Sequence, residues 1–413
     1  MNLSILTRDF RIYDNELLQS DTIPVFIYDE YNQQEHGMNL KSIFFKYVYE
    51  FNNKLKHYGK ELIVIRYEEL DSFIMKVKPN TIYYSLDPEP RNRDRFENLK
   101  ELQRKYKFKL IPVWQFPTPP SEWKFSSFTH FYRTAFNRSA HPKIYNVDEV
   151  LSSLGTVEWE NKIDIETIYR GYRVSEIEEK YYKDEYKIVN DLKDFLERVD
   201  YERDRDYPAK EGTSKISIYL RVGAISHRTA MYIAKNNNRF ISEIAWSDFY
   251  RLLLWNFPNI VDQEWNPKWR NVRWSRDQNL FEAWKNGETG IDIVDAGMKQ
   301  LSREGWMHNR LRMIAASFLT KNLKIDWRLG ERYFYSKLVD ADLAQNVGNW
   351  QWVAGCGTDT VYFRVFNPLI QERKFDPNRE YITRYLEFSR PKPIVNLDQS
   401  REEYLDWIKS QLK

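Results

Sequence analysis

A single cysteine, Cys356, occurs among 413 residues, which excludes a disulfide framework and any cysteine-based metal site. Glycine is sparse where a nucleotide loop would need it. The first 115 residues hold only Gly37 and Gly59, so no glycine-rich turn can cradle a pyrophosphate and the usual dinucleotide fingerprint is missing. The six histidines are scattered, with no His-Glu-x-x-His pattern and no nucleophile elbow. Asp340 and Asp342 lie far from any His or Cys pattern, so hydrolase and metalloenzyme readings have little support and no metal is expected. No run approaches the ~20 apolar residues that span a bilayer, and the N-terminus lacks the charged-then-apolar pattern of a secretory signal. A cytoplasmic protein without membrane contact is expected. The net charge of +3 is nearly balanced, so any nucleic-acid contact must come from a local basic surface.

Tryptophan is the residue in excess. Ten of the fourteen fall between Trp246 and Trp352, several beside Asn, Arg, Asp and Glu. A buried indole wants a partner for its N–H, which makes it a poor choice for packing alone. Rings placed this way suit stacking on a planar ligand or carrying electrons.

The length allows two domains with separate cores. Up to about residue 116, short continuous apolar runs at 3–6, 25–28, 62–65, 82–84 and 110–114 read as buried parallel strands. Between the second and third, Leu40, Ile43, Phe44, Tyr47, Val48, Phe51 and Leu55 form a helical stripe. The alternation implies an α/β domain over 1–116 with an open, mostly parallel five-stranded sheet. Prolines 117, 119 and 120 open a linker, taken as 117–174, and the remainder, 175–413, reads as helix after helix.

Taken as a helix, 306–318 places Met307, Leu311, Ile314 and Phe318 on a core face, with Trp306, Asn309, Arg310 and Met313 on another. That second face reads either as a pocket wall or as a partly buried surface whose Arg meets a carboxylate. In 243–253, Glu243, Trp246, Ser247 and Tyr250 share a face, again either a binding surface or an amphipathic helix with a surface Trp. The hydroxyls of Thr213, Ser214 and Ser217 suit either a phosphate or a helix cap.

Together, the segments 211–217, 243–250, 305–313, 325–334, 340–352 and 362–368 resemble the flavin-domain signatures of the photolyase/cryptochrome family, in that family's order and close to its spacing. Residues 7–15, TRDFRIYDN, are a weaker match to its opening motif. The resemblance is sparse from 20 to 170 and dense from 200 to 380, and is closest to class I cyclobutane pyrimidine dimer photolyases.

The resemblance implies an antenna-type α/β domain, a linker and an all-α FAD-binding catalytic domain. It implies light-dependent repair of UV-damaged DNA, with the dimer flipped out of the duplex and split by an electron from photoexcited reduced FAD. The alternative is a cryptochrome-like blue-light photoreceptor without repair; a chain ending near the expected end of the catalytic domain, with no long tail, speaks against it. A flavin oxidoreductase lacks a nicotinamide site. A monomer is expected.

By position, Tyr201, Thr213, Ser214, Lys215, Ile216, Ser217, Phe240, Trp306, Asn309, Arg312, Asp340, Asp342 and Asn346 match cofactor contacts, with Asn346 facing the flavin N5. Glu243, Trp246, Asn309, Met313 and Trp352 match the lesion pocket, and with Asn346 the catalytic set. Arg205, Arg310, Arg364 and Lys374 match basic positions for DNA phosphates. Trp350, Trp327 and Trp274 match an electron-transfer chain from flavin to surface. Related (6-4) enzymes carry a histidine pair where this chain has Met307-His308-Asn309, so a single His argues for the dimer. Ser247, Phe240, Val347 and Asn349 depart from the pattern, the first two weakening individual cofactor or phosphate contacts. A second, light-harvesting pigment is implied at the carboxyl ends of the strands, a flavin or deazaflavin before a folate, or none.

Overall fold

Short unbroken runs of aliphatic and β-branched residues suit buried strands, and the chain forms its strands at those runs. In the computed structural model, which describes every residue except 31–35, 388–390 and 413, the strands are β1 (Asn2–Leu6), β2 (Thr22–Tyr28), β3 (Ile63–Arg66), β4 (Thr81–Ser85) and β5 (Lys109–Val113). They form one parallel sheet in the order β3-β2-β1-β4-β5, with Leu3 aligned to Ile23 on one side and to Ile82 on the other. All seven residues of β2 are buried. Helices Met38–Lys56, Leu70–Val77 and Pro90–Tyr106 make the crossovers that parallel pairing requires.

The stripe expected on Met38–Lys56 is buried with one exchange. Phe45 is fully buried, whereas Phe44 is only partly covered because it lines a cavity. The strand order reverses at β1, which leaves a crevice at the carboxyl ends of the strands.

The chain forms two compact units. One comprises Met1–Trp123, Ala135–Phe195 and Lys215–Pro258; the other comprises Lys124–Thr134, Leu196–Ser214 and Asn259–Lys413. The proline-led stretch after β5 carries helices Phe128–Thr134, Val147–Ser153 and Ile165–Tyr172, the last two capped by Asn146 and Asp164. The second unit is built mainly of helices, among them Asp292–Glu304, Asn309–Ser317, Trp327–Lys337, Leu343–Ala354 and Leu397–Gln411. Among the described residues, no helix is long and apolar enough to cross a membrane.

Candidate active site and cofactor pocket

In the second unit, Gly305 ends helix Asp292–Glu304 in the left-handed region, at φ 64°. The next helix starts at Asn309, not at Trp306. His308 caps it, its side chain accepting the Arg310 backbone N–H at 3.1 Å. Trp306 therefore lies outside the helix and shares no helical face with Asn309, Arg310 and Met313. The core face is as expected, with Met307, Leu311, Ile314 and Phe318 buried. Burial pushes the His308 imidazole down to about 4, so it is a neutral cap at physiological pH.

Helix Asn309–Ser317 carries Arg312, whose Nη2 reaches both carboxylate oxygens of Asp340, at 3.0 and 2.9 Å. Its Nε donates to the Met307 carbonyl at 2.8 Å, which fixes the plane of the guanidinium. Asp342 caps helix Leu343–Ala354 by accepting from Gln345 N at 3.2 Å. One turn on, Asn346 donates through Nδ2 to the carbonyl of Glu331 at 2.9 Å and to its Oε1 at 2.8 Å. Both amide hydrogens are thus committed, leaving Oδ1 as the atom that Asn346 offers to the pocket. Glu331 is buried, and burial pushes its carboxyl up to about 7 although the Asn346 hydrogen bond opposes this.

These residues bound a cleft open to solvent. Of the residues singled out from sequence, Asn309, Arg312, Met313, Asp340, Asp342, Asn346 and Trp350 line it; Phe334, Gln345 and Asn349 line it without having been foreseen. A cation paired across the rim, an oriented amide carbonyl and an indole wall suit a planar heteroaromatic ring that carries an N–H and can hold negative charge.

Trp350 packs against Phe334 at 5.0 Å between ring centroids and edge-on to Trp284 at 6.1 Å. The far end of its ring lies on Gly330, where a Cβ would meet it at 2.2 Å. Gly330 is one turn along helix Trp327–Lys337 from the fully buried Trp327. The indole N–H groups of Trp327 and Trp274 both reach Glu264 Oε1, each at 3.3 Å. Sequence reasoning missed Trp284, Glu264, Gly330 and Glu331. Trp284 had only its residue type as a signal, and the acidic pair had none.

Among the remaining expected residues of this unit, Trp352 stacks on Phe366 at 6.3 Å, with the Arg364 guanidinium 5.4 Å from its ring centroid. Arg310 pairs with Asp206 at 2.8 Å and lies over the Phe375 ring at 4.2 Å; Lys374 approaches the same ring at 5.1 Å. Burial alone would raise Asp206, but hydrogen bonding and charge from Arg310 hold it below the usual carboxylate range. Arg205 lies 5.4 Å from the Tyr201 ring centroid. Helix Tyr201–Asp204 sits tightly under the following loop, since a Cβ at Gly212 would meet the Asp204 carbonyl at 2.3 Å. Thr213 and Ser214, half-buried, continue that loop.

The first unit holds the other expected residues. Lys215 takes a left-handed conformation, φ 53°, and Ile216 precedes the short helix Ser217–Val222. On helix Asn238–Asn256, Phe240 is buried, Glu243 pairs with Arg239 at 3.3 Å, and Trp246 tilts against Tyr250 at 5.6 Å. This unit has its own cavity at the switch point of the sheet, bounded by Thr7, Arg8, Phe44, Glu89, Arg95 and Arg221, among others. Arg221 pairs with Glu89 at 3.1 Å. Thr7 Oγ1 and Arg95 Nε are buried at its wall without a hydrogen-bond partner, an arrangement that favours a polar ligand. Among the described residues no group of three or more His, Cys, Asp or Glu could hold a metal ion.

Residues 240–390 match the family model for the FAD binding domain of DNA photolyase. A deoxyribodipyrimidine photo-lyase of Alkalihalophilus pseudofirmus is 35% identical over 420 residues, spanning 92% of this chain and 85% of that protein. Among solved structures, the archaeal photolyase of Sulfolobus tokodaii with two FAD molecules has a TM-score of 0.88 at 30% identity, covering 99% of this chain and 100% of its own. A bacterial class III photolyase from Agrobacterium tumefaciens gives a TM-score of 0.88 at 28% identity, covering 99% and 97%.

Proposed function

Because the chain belongs to the photolyase/cryptochrome family, we propose that it is a DNA photolyase that splits cyclobutane pyrimidine dimers in UV-damaged DNA under light. The observation that carries this reading is the paired orientation of Arg312 by Asp340 and of Asn346 by Glu331 at one cleft. Fully reduced FAD, when bound, supplies the photoexcited electron that opens the cyclobutane ring and takes it back afterwards.

The chain's own residues do the rest. Arg312 sets a fixed positive charge beside the ring, which favours its anionic reduced form. Asn346, its amide hydrogens held by Glu331, would offer its carbonyl oxygen to the N–H that a reduced flavin carries, and supplies no proton of its own. Asp340 and Asp342 fix Arg312 and the start of helix Leu343–Ala354, while Trp306 and Asn309 are assigned to the cofactor. Tyr201, Thr213, Ser214, Lys215, Ile216, Ser217 and Phe240 are assigned to it on the family pattern. Glu243, Trp246, Asn309, Met313 and Trp352 are assigned to the lesion, which must leave the duplex at a cost of a few kcal/mol. Arg205, Arg310, Arg364 and Lys374 are assigned to phosphates. Trp350, Trp327 and Trp274 are assigned to recharging an oxidised cofactor.

The cavity in the sheet unit is proposed to take a second, light-harvesting chromophore, a flavin or deazaflavin, whose polar edge would satisfy Thr7 Oγ1 and Arg95 Nε.

The test is illumination of FAD-loaded, chemically reduced protein with an oligonucleotide containing one thymine dimer. Loss of the dimer with restoration of two thymines is expected. Protein that retains reduced FAD and binds the DNA but leaves the dimer intact refutes repair and favours a photoreceptor.

A further inference from the structure

The buried carboxylate of Glu264 joins the two outer indoles of the relay just proposed. Its Oε1 accepts the N–H of Trp327 and that of Trp274, both at 3.3 Å, and its Oε2 takes Arg328 Nη2 at 2.8 Å. The same guanidinium stands 4.8 Å from the centroid of the Trp327 ring. Trp274 has different neighbours. It stacks on Trp269 at 5.9 Å and 20°, and meets Trp407 at 5.5 Å. Among the described residues, no cation stands over its ring.

We infer that Glu264 and Arg328 are positioning residues that set the direction of electron flow through this relay, so that the electron deficit comes to rest on Trp274. The inference depends on the relay reading. One electron leaves Trp350 for the oxidised cofactor, Trp327 replaces it, and Trp274 replaces that one in turn. No bond forms or breaks, both indole protons stay in their hydrogen bonds, and Trp274 ends one electron short. A negative charge in contact with both indoles stabilises positive charge on either, strongly so in a dry site. A cation near the ring of Trp327 opposes positive charge there, since it is attracted by the electrons that oxidation removes. The two effects act together only on Trp327, which leaves Trp274 the more easily oxidised of the pair. The stacked Trp269 and the tilted Trp407 beside it add room to spread the deficit.

The test uses FAD-loaded protein and two substitutions. Glu264→Gln keeps an acceptor oxygen at the same reach without charge, and Arg328→Met clears the cation from the Trp327 ring. Flash photolysis times how long the deficit survives before the electron returns. Nitrogen-15 NMR of the indole groups in the dark reports their N–H bonds independently of any photochemistry.

In Glu264→Gln, the Trp274 and Trp327 resonances should shift while the other indoles hold. The lifetime should shorten about tenfold, the factor that about 1.4 kcal/mol produces. In Arg328→Met, more of the deficit should stay on Trp327, nearer the cofactor, and its lifetime should also shorten. If Glu264→Gln does not fold, Arg328→Met carries the test alone. Unchanged lifetimes in folded variants overturn the inference. Trp327→Phe separates the two levels: normal photoreduction in that variant overturns the relay itself. Blocked photoreduction there, with neither charge substitution having an effect, overturns only the role of Glu264 and Arg328.

Discussion

Glu331→Gln removes a titrating group in direct contact with Asn346 while keeping the acceptor oxygen that orients its amide. In the folded protein, burial moves the Glu331 carboxyl from 4.5 to about 7. As pH rises, the unfolded chain releases this proton first, so the folded state is progressively disfavoured from pH 4.5 to about 7. The stabilisation is complete below that window and lost above it. A displacement of this size corresponds to about 3 kcal/mol. Glutamine does not titrate, so the variant should match the wild type near pH 4.5 and exceed its local stability by up to about 3 kcal/mol near pH 8. The measurement is hydrogen–deuterium exchange across residues 327–354 in both proteins from pH 4.5 to 8, corrected for intrinsic exchange rates. A pH-independent difference, or a wild type that grows relatively more stable as pH rises, would refute the reasoning. Either would mean that the carboxylate is already ionised and well compensated.

Four further outcomes are expected. Trp350→Phe should abolish light-driven reduction of oxidised FAD while leaving repair by chemically reduced protein largely intact, both measured on the same FAD-loaded sample; normal photoreduction would remove Trp350 from the relay. Gly330→Ala should destabilise the second unit by about 1–3 kcal/mol, as overpacking does, because the new Cβ would meet the Trp350 ring at 2.2 Å; thermal unfolding followed by tryptophan fluorescence reads it. Trp246→Ala should weaken binding of dimer-containing DNA roughly ten- to a hundredfold more than undamaged DNA, the worth of about 1–3 kcal/mol of base stacking. Arg310→Ala or Lys374→Ala should weaken damaged and undamaged DNA alike and reduce the salt slope of binding by about one. Arg310 also releases Asp206, so its effect should be the larger if the ion pair orders the loop.

Much of the architecture was legible because it depends on neighbours in sequence. Each strand of the sheet coincides with a continuous apolar run, and helix Met38–Lys56 with its stripe. The cleft was legible only in part. Arg312, Asp340, Asn346 and Trp350 stand on or beside regular helices of the second unit, and fixed spacing brings them to one cleft. Trp306 was misplaced because His308, with its side chain on the Arg310 N–H, starts the helix three residues later than a hydrophobic period suggests. Phe44 and Phe45 are adjacent and equally apolar; only the cavity at the end of the sheet decides which is the partly exposed one.

Sequence alone determined the strands of the sheet, the helical character of the later chain and the identity of the family, because period, strand length and motif spacing are properties of the chain itself; the helices within 117–174 were not legible. The partners of the buried charged groups were decided by tertiary structure. Glu331 meets Asn346 across fifteen residues, and Glu264 meets Trp327 across sixty-three. A buried carboxylate is tolerable only where packing brings donors to it. No local pattern states which helix will arrive with that donor, so the groups that orient the amide and join the outer indoles became visible only when the helices were in place.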